Sequence, residues 1–333
     1  MFRSFFLNRQ WFHWSLIGSA LIFYVTWYKV QLDVRINEWF GEFYDLIQKA
    51  LGKAGSVSLD TFIDSCLTFA AIAGTYIIVA VLLDFYVRHF VFRWRTAMND
   101  YYVSHWYKVR HIEGASQRVQ EDTMEFANIV EGLGVFFLRS VMTLIAFLPI
   151  LWELSKHVTA LPWIGPVDHS LVYVAILSAA CGTVVLAIVG IKLPGLEFNN
   201  QRVEAAYRKE LVLGEDDAAR AGPETLHELF SRVRKNYFRL YLHYMYFDVA
   251  KWSYLQSTVI LPYIALAPSI VAAAFTLGVL QQIVRAFGRV EDSFQFLVHS
   301  WKTIVRLMSI YKRLKAFEAA IDGKEMPAVP DPL

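Results

Sequence analysis

The residues of this chain that could do chemistry are carboxylates set beside apolar runs. Glu121, Asp122 and Glu125 fall within one or two turns of the start of a long apolar segment, and Glu131 lies further in, where the sequence has turned apolar. Glu197 and Glu204 are seven apart, so they share one face of a helix. Glu204 and Arg208 are four apart, as are Glu224 and Glu228, and Glu210, Glu215, Asp216 and Asp217 follow on the same stretch. A carboxyl group in a partly dry cavity holds its proton more tightly, because burial disfavours the charged form and neighbouring carboxylates act in the same direction. Such groups can take protons on an acidic side and release them on the other, as intramembrane proton relays do. Glu131 is the foremost candidate, since an unpaired acid on a span is unfavourable. Its alternative is a salt bridge with Arg139, eight residues on, or with another span. For Glu121 and Glu215 a solvated helix face is an equal alternative. Glu291 and Asp292 are expected to pair with Arg285 and Arg289 at helical spacing.

Other chemistries find no pattern. The phosphate-cradling G-x-x-x-x-G-K-[ST] does not occur: LGKAGS at Leu51 lacks the spacing and DGKEM at Asp322 lacks the first glycine. There is no G-x-S-x-G, H-E-x-x-H or C-x-x-C, so no catalytic residue is proposed. His105, His111 and Glu113 approach a metal-ligand set but at unhelpful spacing, and hydrogen-bonded or interfacial histidines are the expectation; no metal or cofactor is expected. Cys66 and Cys181, the two cysteines, both fall in apolar runs and are expected to be small core hydrophobes. A net charge of +2 without a basic patch interleaved with aromatics gives no sign of nucleic-acid binding.

The elements that must position these groups are membrane helices. Hydrophobic residues make up 56% of the 333, aromatics 16%, and mean hydropathy is +0.36. Several apolar runs approach the ~20 residues that cross ~30 Å of hydrocarbon as a helix. An all-α polytopic membrane protein follows, with spans at about 14–30, 62–87, 126–154, 171–189, 248–266 and 276–300. The first is an uncleaved span with Trp11, Trp14, Trp27 and Tyr28 at its ends, where aromatic rings prefer the interface. The acidic segment after it is either an interfacial helix or an extension of the span. Pro262 and Pro268 break the fifth span, and the sixth is amphipathic. Lys192 to Lys251 reads as two long helices that leave the membrane, turn around Gly214 to Pro223 and return, or else as a solvated hairpin that only joins two spans. Lys and Arg gather after spans two and four, which places those loops and both termini in the cytoplasm. Six spans with long cytoplasmic extensions match the membrane half of an ABC exporter, here a single domain over residues 1–320 with a tail at 321–333.

Longer strings are more specific. VFRWRTAMN at Val91, HIEGASQRVQEDTM at His111, MTLIAFLP at Met142, VGIKLPGLEF at Val189, NQRVEAAYRKELVLGEDDA at Asn200, RKNYFRLYLHYMYF at Arg234 and LMSIYKRLKAFE at Leu307 resemble the SbmA/BacA family of bacterial peptide transporters, over about Gly18 to Ala320. The resemblance implies a transmembrane domain like that of a type IV ABC exporter without its ATPase, assembled as a domain-swapped homodimer in the bacterial inner membrane. It implies import of proline-rich antimicrobial peptides and glycopeptides, driven by protons, with Glu131, Glu204 and Glu215 lining the cavity and Glu121 and Glu197 nearby in the same motifs. Members usually carry one further span ahead of the region matching Leu16, whereas this chain begins almost directly at that region, and the six-span core is expected to be complete. A cavity rich in carboxylates also suits cationic peptides. Two alternatives remain: a membrane subunit whose ATPase is a separate chain, and a factor in envelope lipid modification.

Overall fold

The computed structural model describes residues 1–112, 115–158, 160–217 and 220–323, and among them every regular element is a helix. In chain order these are α1 (Phe2–Phe6), α2 (Phe12–Gly52), α3 (Leu59–Ser104), α4 (Trp106–Val109) and α5 (Ala115–Gln117). A π-helical stretch, Arg118–Asp122, leads into α6 (Thr123–Leu154). Then come α7 (Ser170–Gly190), α8 (Leu193–Asp216), α9 (Pro223–Val271), α10 (Leu277–Phe294) and α11 (Phe296–Ile321).

Among the described residues four helical segments are long and apolar enough to cross a membrane: Leu59–Ser104, Ala115–His157, Ser170–Gly190 and Pro223–Val271. They carry the second to fifth expected spans. The expected first and sixth lie in α2 and α10–α11, outside this set: the first is diluted by Ser, Thr, Trp and Tyr, and the sixth carries Arg285, Arg289, Glu291 and Asp292. The segment after the first span is its extension, since α2 runs unbroken for 41 residues, about 60 Å at 1.5 Å per residue. Pro262 and Pro268 do not break the fifth span, because α9 continues through both to Val271. A proline removes one helical hydrogen bond, and spanning helices tolerate that where neighbouring groups satisfy the freed carbonyl. Cys66 and Cys181 are exposed rather than core residues. The reason is that the most apolar stretches face outward: in α3 only 6% of that window is buried.

The chain forms two compact units, Met1–Ala175 with Pro262 onward, and Ile176–Leu261. In the first, α2 and α10 run antiparallel. Leu277 N donates to Gln48 Oε1 and Gly278 N to Asp45 Oδ1, both at 2.8 Å, while Gln282 Nε2 reaches Glu38 O at 3.3 Å. The unsatisfied N–H groups that begin any helix are thus met here by α2 as well as by the Thr276 hydroxyl. The approach needs glycine: a Cβ on Gly278 would stand 2.1 Å from Gly41 O. At the other end, α1 tucks Phe5 against Trp94 and Phe90 of α3. Tyr102, Phe126, Leu314 and Phe317 continue that core into α6 and α11.

The second unit is a helical hairpin. Its turn lies between Asp216 and Pro223, where the sequence places it. Glu210 closes it, accepting from Arg220 Nη2 and from Ala221 N, each at 3.2 Å. Along the pair, Asn236 donates to Asn200 at 3.1 Å, and Leu193, Leu196 and Leu240 form a small core with Tyr244 and Phe247. Tyr254 lies over Gly182, where any Cβ would fall 2.0 Å from the ring.

Candidate functional site

The α2 face toward α10 steps by about one turn through Asp33, Asn37, Gly41 and Asp45, and the facing positions on α10 are Gly278, Gln282, Arg285 and Arg289. Both sets have the i, i+3, i+4 spacing that puts residues on one stripe of a helix. The stripe is polar although apolar helices surround it.

Its centre is Asp33. The side chain is 4% exposed, accepts a 2.8 Å hydrogen bond from Arg289 Nη2, and lies 3.7 Å from Arg139 Nη2 of α6. One carboxylate thus ties three helices. A turn away, the Arg285 guanidinium lies over the Phe40 ring, 4.0 Å from its centroid. Asn37 Oδ1 and Arg285 Nε are buried without a hydrogen-bond partner among the described residues.

Beside the triad is a cavity of about 210 Å³ lined by Arg139, Ser140, Thr143, Arg289, Asp292 and His299, with Phe136 and Ser293 completing its wall. At ~30 Å³ per water molecule it has room for roughly seven waters, so it admits water and protons but not a peptide. A larger hollow of about 590 Å³ follows the first turns of α9. A single helix lines it and it opens widely to solvent, so it encloses nothing.

A second ionic cluster ties α11 to the start of α6. Asp122, in the π-helical stretch, accepts from Arg313 Nε at 3.0 Å and Nη2 at 2.7 Å, and Glu125 pairs with Arg306. The hydrogen bonds to Asp122 hold the Arg313 guanidinium above its usual pKa. Tyr102 of α3 donates to Glu318 at 3.0 Å.

Of the residues expected from sequence, Glu131 is 31% exposed on α6 and its Oε1 is 3.7 Å from Arg88 Nε of α3. Its partner is therefore on another span rather than Arg139, which turns to Asp33. Glu121 is exposed, while its neighbours Asp122 and Glu125 are spent on α11. On α8, Glu204 is half-buried and Glu215 exposed, and the side chain of Glu197 lies outside the described residues, as does Glu113. Arg289 pairs with Asp33 and Arg285 stacks on Phe40, both partners lying on α2, beyond what the spacing within α10 could indicate. His105 is hydrogen-bonded, its Nδ1 2.8 Å from Tyr101 O. The residue sequence reasoning missed is Asp33, which falls in the acidic segment after the first span. The signal available was its four-residue phase with Asn37, Gly41 and Asp45.

The chain has known relatives. It is 25% identical over 313 residues to the inner membrane ABC transporter ATP-binding protein YddA of Escherichia coli, covering 86% of this chain and 54% of YddA. An uncharacterized ABC transporter ATP-binding protein of Synechocystis is 24% identical over 345 residues, covering 95% of this chain and 48% of its own length. The ABC transporter D family member 2 of Arabidopsis thaliana, a chloroplastic protein, is 25% identical over 260 residues, 73% of this chain and 35% of that protein. The chain thus spans about half the length, or less, of these relatives. The SbmA/BacA-like family profile matches residues 8–322, most of the chain, so the chain belongs to the SbmA/BacA-like family.

Proposed function

We propose that this chain imports peptides across a bacterial inner membrane by alternating access, driven by the proton gradient. Two copies, each contributing six spans, enclose the cavity in this reading. Peptides of the proline-rich antimicrobial or glycopeptide type are the substrates. Glu131, Glu204 and Glu215 carry the protons, with Glu121 and Glu197 nearby. Protonation neutralises these acids, weakens their hold on cationic peptides and favours one facing state. The observation that carries this is the family match over residues 8–322, which includes every carboxylate invoked. Glu131 is half-buried beside Arg88 of α3, on a helix that carries one of the apolar spans.

Proteoliposomes holding only this protein are loaded against an inward-acid gradient without ATP, and uptake of a labelled proline-rich peptide is followed. Gradient-dependent uptake that an uncoupler abolishes is the expected result, and Glu131→Gln removes it while the protein stays folded. Wild-type uptake and coupling in Glu131→Gln would take Glu131 out of the mechanism.

The names of the relatives favour a second reading, since each is an ABC transporter and the first two are called ATP-binding proteins. In that reading the chain is the membrane part of an ATP-driven transporter. Uptake that ignores the gradient but responds to ATP and a cell extract decides for it.

A further inference from the structure

We propose that Asp292 and His299 form a proton-binding site in the cavity beside the Asp33 triad, separate from the glutamates of the proposed relay. The inference rests on the proton-coupled reading for its role in transport, but the site itself stands on the geometry of one compact unit.

Asp292 closes the last full turn of α10 and His299 the first of α11, with the break between the helices at Gln295. The two side chains line the same 210 Å³ cavity, whose volume suits water. Both are exposed to it rather than packed in apolar side chains. His299 Nε2 is 3.3 Å from Gln295 Oε1. Protonation turns the imidazole into an imidazolium in which both ring nitrogens donate.

The charged and titratable surroundings are all in the same unit. Arg139 of α6 and Arg289 of α10 act on Asp292 together with His299. Lys29 and Asp33 face the arginines from α2 and Tyr76 does so from α3, where Asp84 lies near Lys29 and Tyr76. Arg285 and the buried Glu291 complete α10's share. Asp33 is committed to the guanidiniums of Arg139 and Arg289. Among the described residues Asp292 makes no such short ion pair, so a proton there leaves the contacts of the triad in place. Histidine adds a group that titrates in the physiological range. A proton arriving here adds one positive charge next to Arg139 and Arg289, at the junction of α10 and α11. That is where a change of charge can act on the packing of α2, α6 and α10.

The test uses full-length protein in lipid nanodiscs with ¹⁵N-labelled histidine rings, the His299 signal being assigned by its loss in His299→Gln. In Asp292→Asn the His299 titration midpoint moves toward acid by roughly one pH unit, the effect of removing a nearby carboxylate, and in Asp292→Glu it stays near the wild-type position. A His299 curve identical in wild type and Asp292→Asn overturns the pair. Proton-driven peptide uptake is measured on the same preparations. Loss in both Asp292→Asn and His299→Gln, with recovery in Asp292→Glu, assigns the site to coupling. Wild-type uptake in both variants overturns the inference and leaves the peptide-import reading standing. No gradient-driven uptake by the wild type, with the titration shift present, means that peptide import is wrong and the proton site remains.

Discussion

Asp33 of α2 joins α6 and α10 through one carboxylate. It is almost fully buried, and two arginines from different helices depend on it for neutralisation. Removing one member of a buried ion cluster typically costs ~3–5 kcal/mol, because a charge is left unpaired. Arg139 and Arg289 are 37% and 31% exposed, so Asp33→Ala is expected to destabilise by the lower end of that range, about 3 kcal/mol. Thermal unfolding in detergent reads this. Additional replacement of Arg289 by Gln recovers part of the loss if the unpaired guanidinium is its source. A change below ~0.5 kcal/mol would mean that lipid or water neutralises the arginines and that the triad does not hold the helices.

Among the elements, α2 and α10 show how sequence becomes packing. Small residues let the backbones approach, and the polar positions then find each other at fixed register. Gly278→Ala puts a methyl group against the backbone oxygen of Gly41, which cannot swing away as a side chain would. A loss of about 1–3 kcal/mol is expected, the usual range for overpacking, together with faster amide exchange at the start of α10. Gly288→Ala on the same helix is the control, since nothing lies within 4 Å of its added Cβ. It should be neutral or stabilising by up to about 1 kcal/mol from helix propensity. Equal effects from the two substitutions would reject the close-approach account.

For the whole molecule, the large apolar side chains left outside are the main fact. Ile77, Ile78, Leu82 and Phe85 on α3 are each about 60% exposed, and Leu177, Ile188 and Val259 show the same on α7 and α9. Lipid covers such surface in a spanning protein, and a second copy would cover part of it. Native mass spectrometry from mild detergent is expected to give twice the 38.3 kDa of one chain. A species at 38.3 kDa that still takes up peptide in liposomes would remove the dimer from the proposed mechanism.

The all-helical membrane class was legible in the sequence, because apolar runs of spanning length and the 3.6-residue period are local properties. So was the hairpin turn between Asp216 and Pro223, where charge, glycine and proline cluster. Glu131 stood out for the same reason, being an acid inside an apolar run. Local pattern could not choose its partner, since Arg139 lay at helical spacing while Arg88 lay on another helix. Nor could it separate Asp33 from the acids around it, because Arg139 and Arg289 are 106 and 256 residues further along the chain. The prolines of α9 look like helix breakers from sequence, and only the surrounding structure allows that helix to run on. The cysteines look like core because apolar residues usually face inward, whereas here the apolar surface faces out. What the sequence determined is therefore what depends on neighbours along the chain: helices, spans and turns. The register of α2 against α10 decided which charges meet, and that register comes from backbone approach at Gly41 and Gly278, which only the tertiary structure contains.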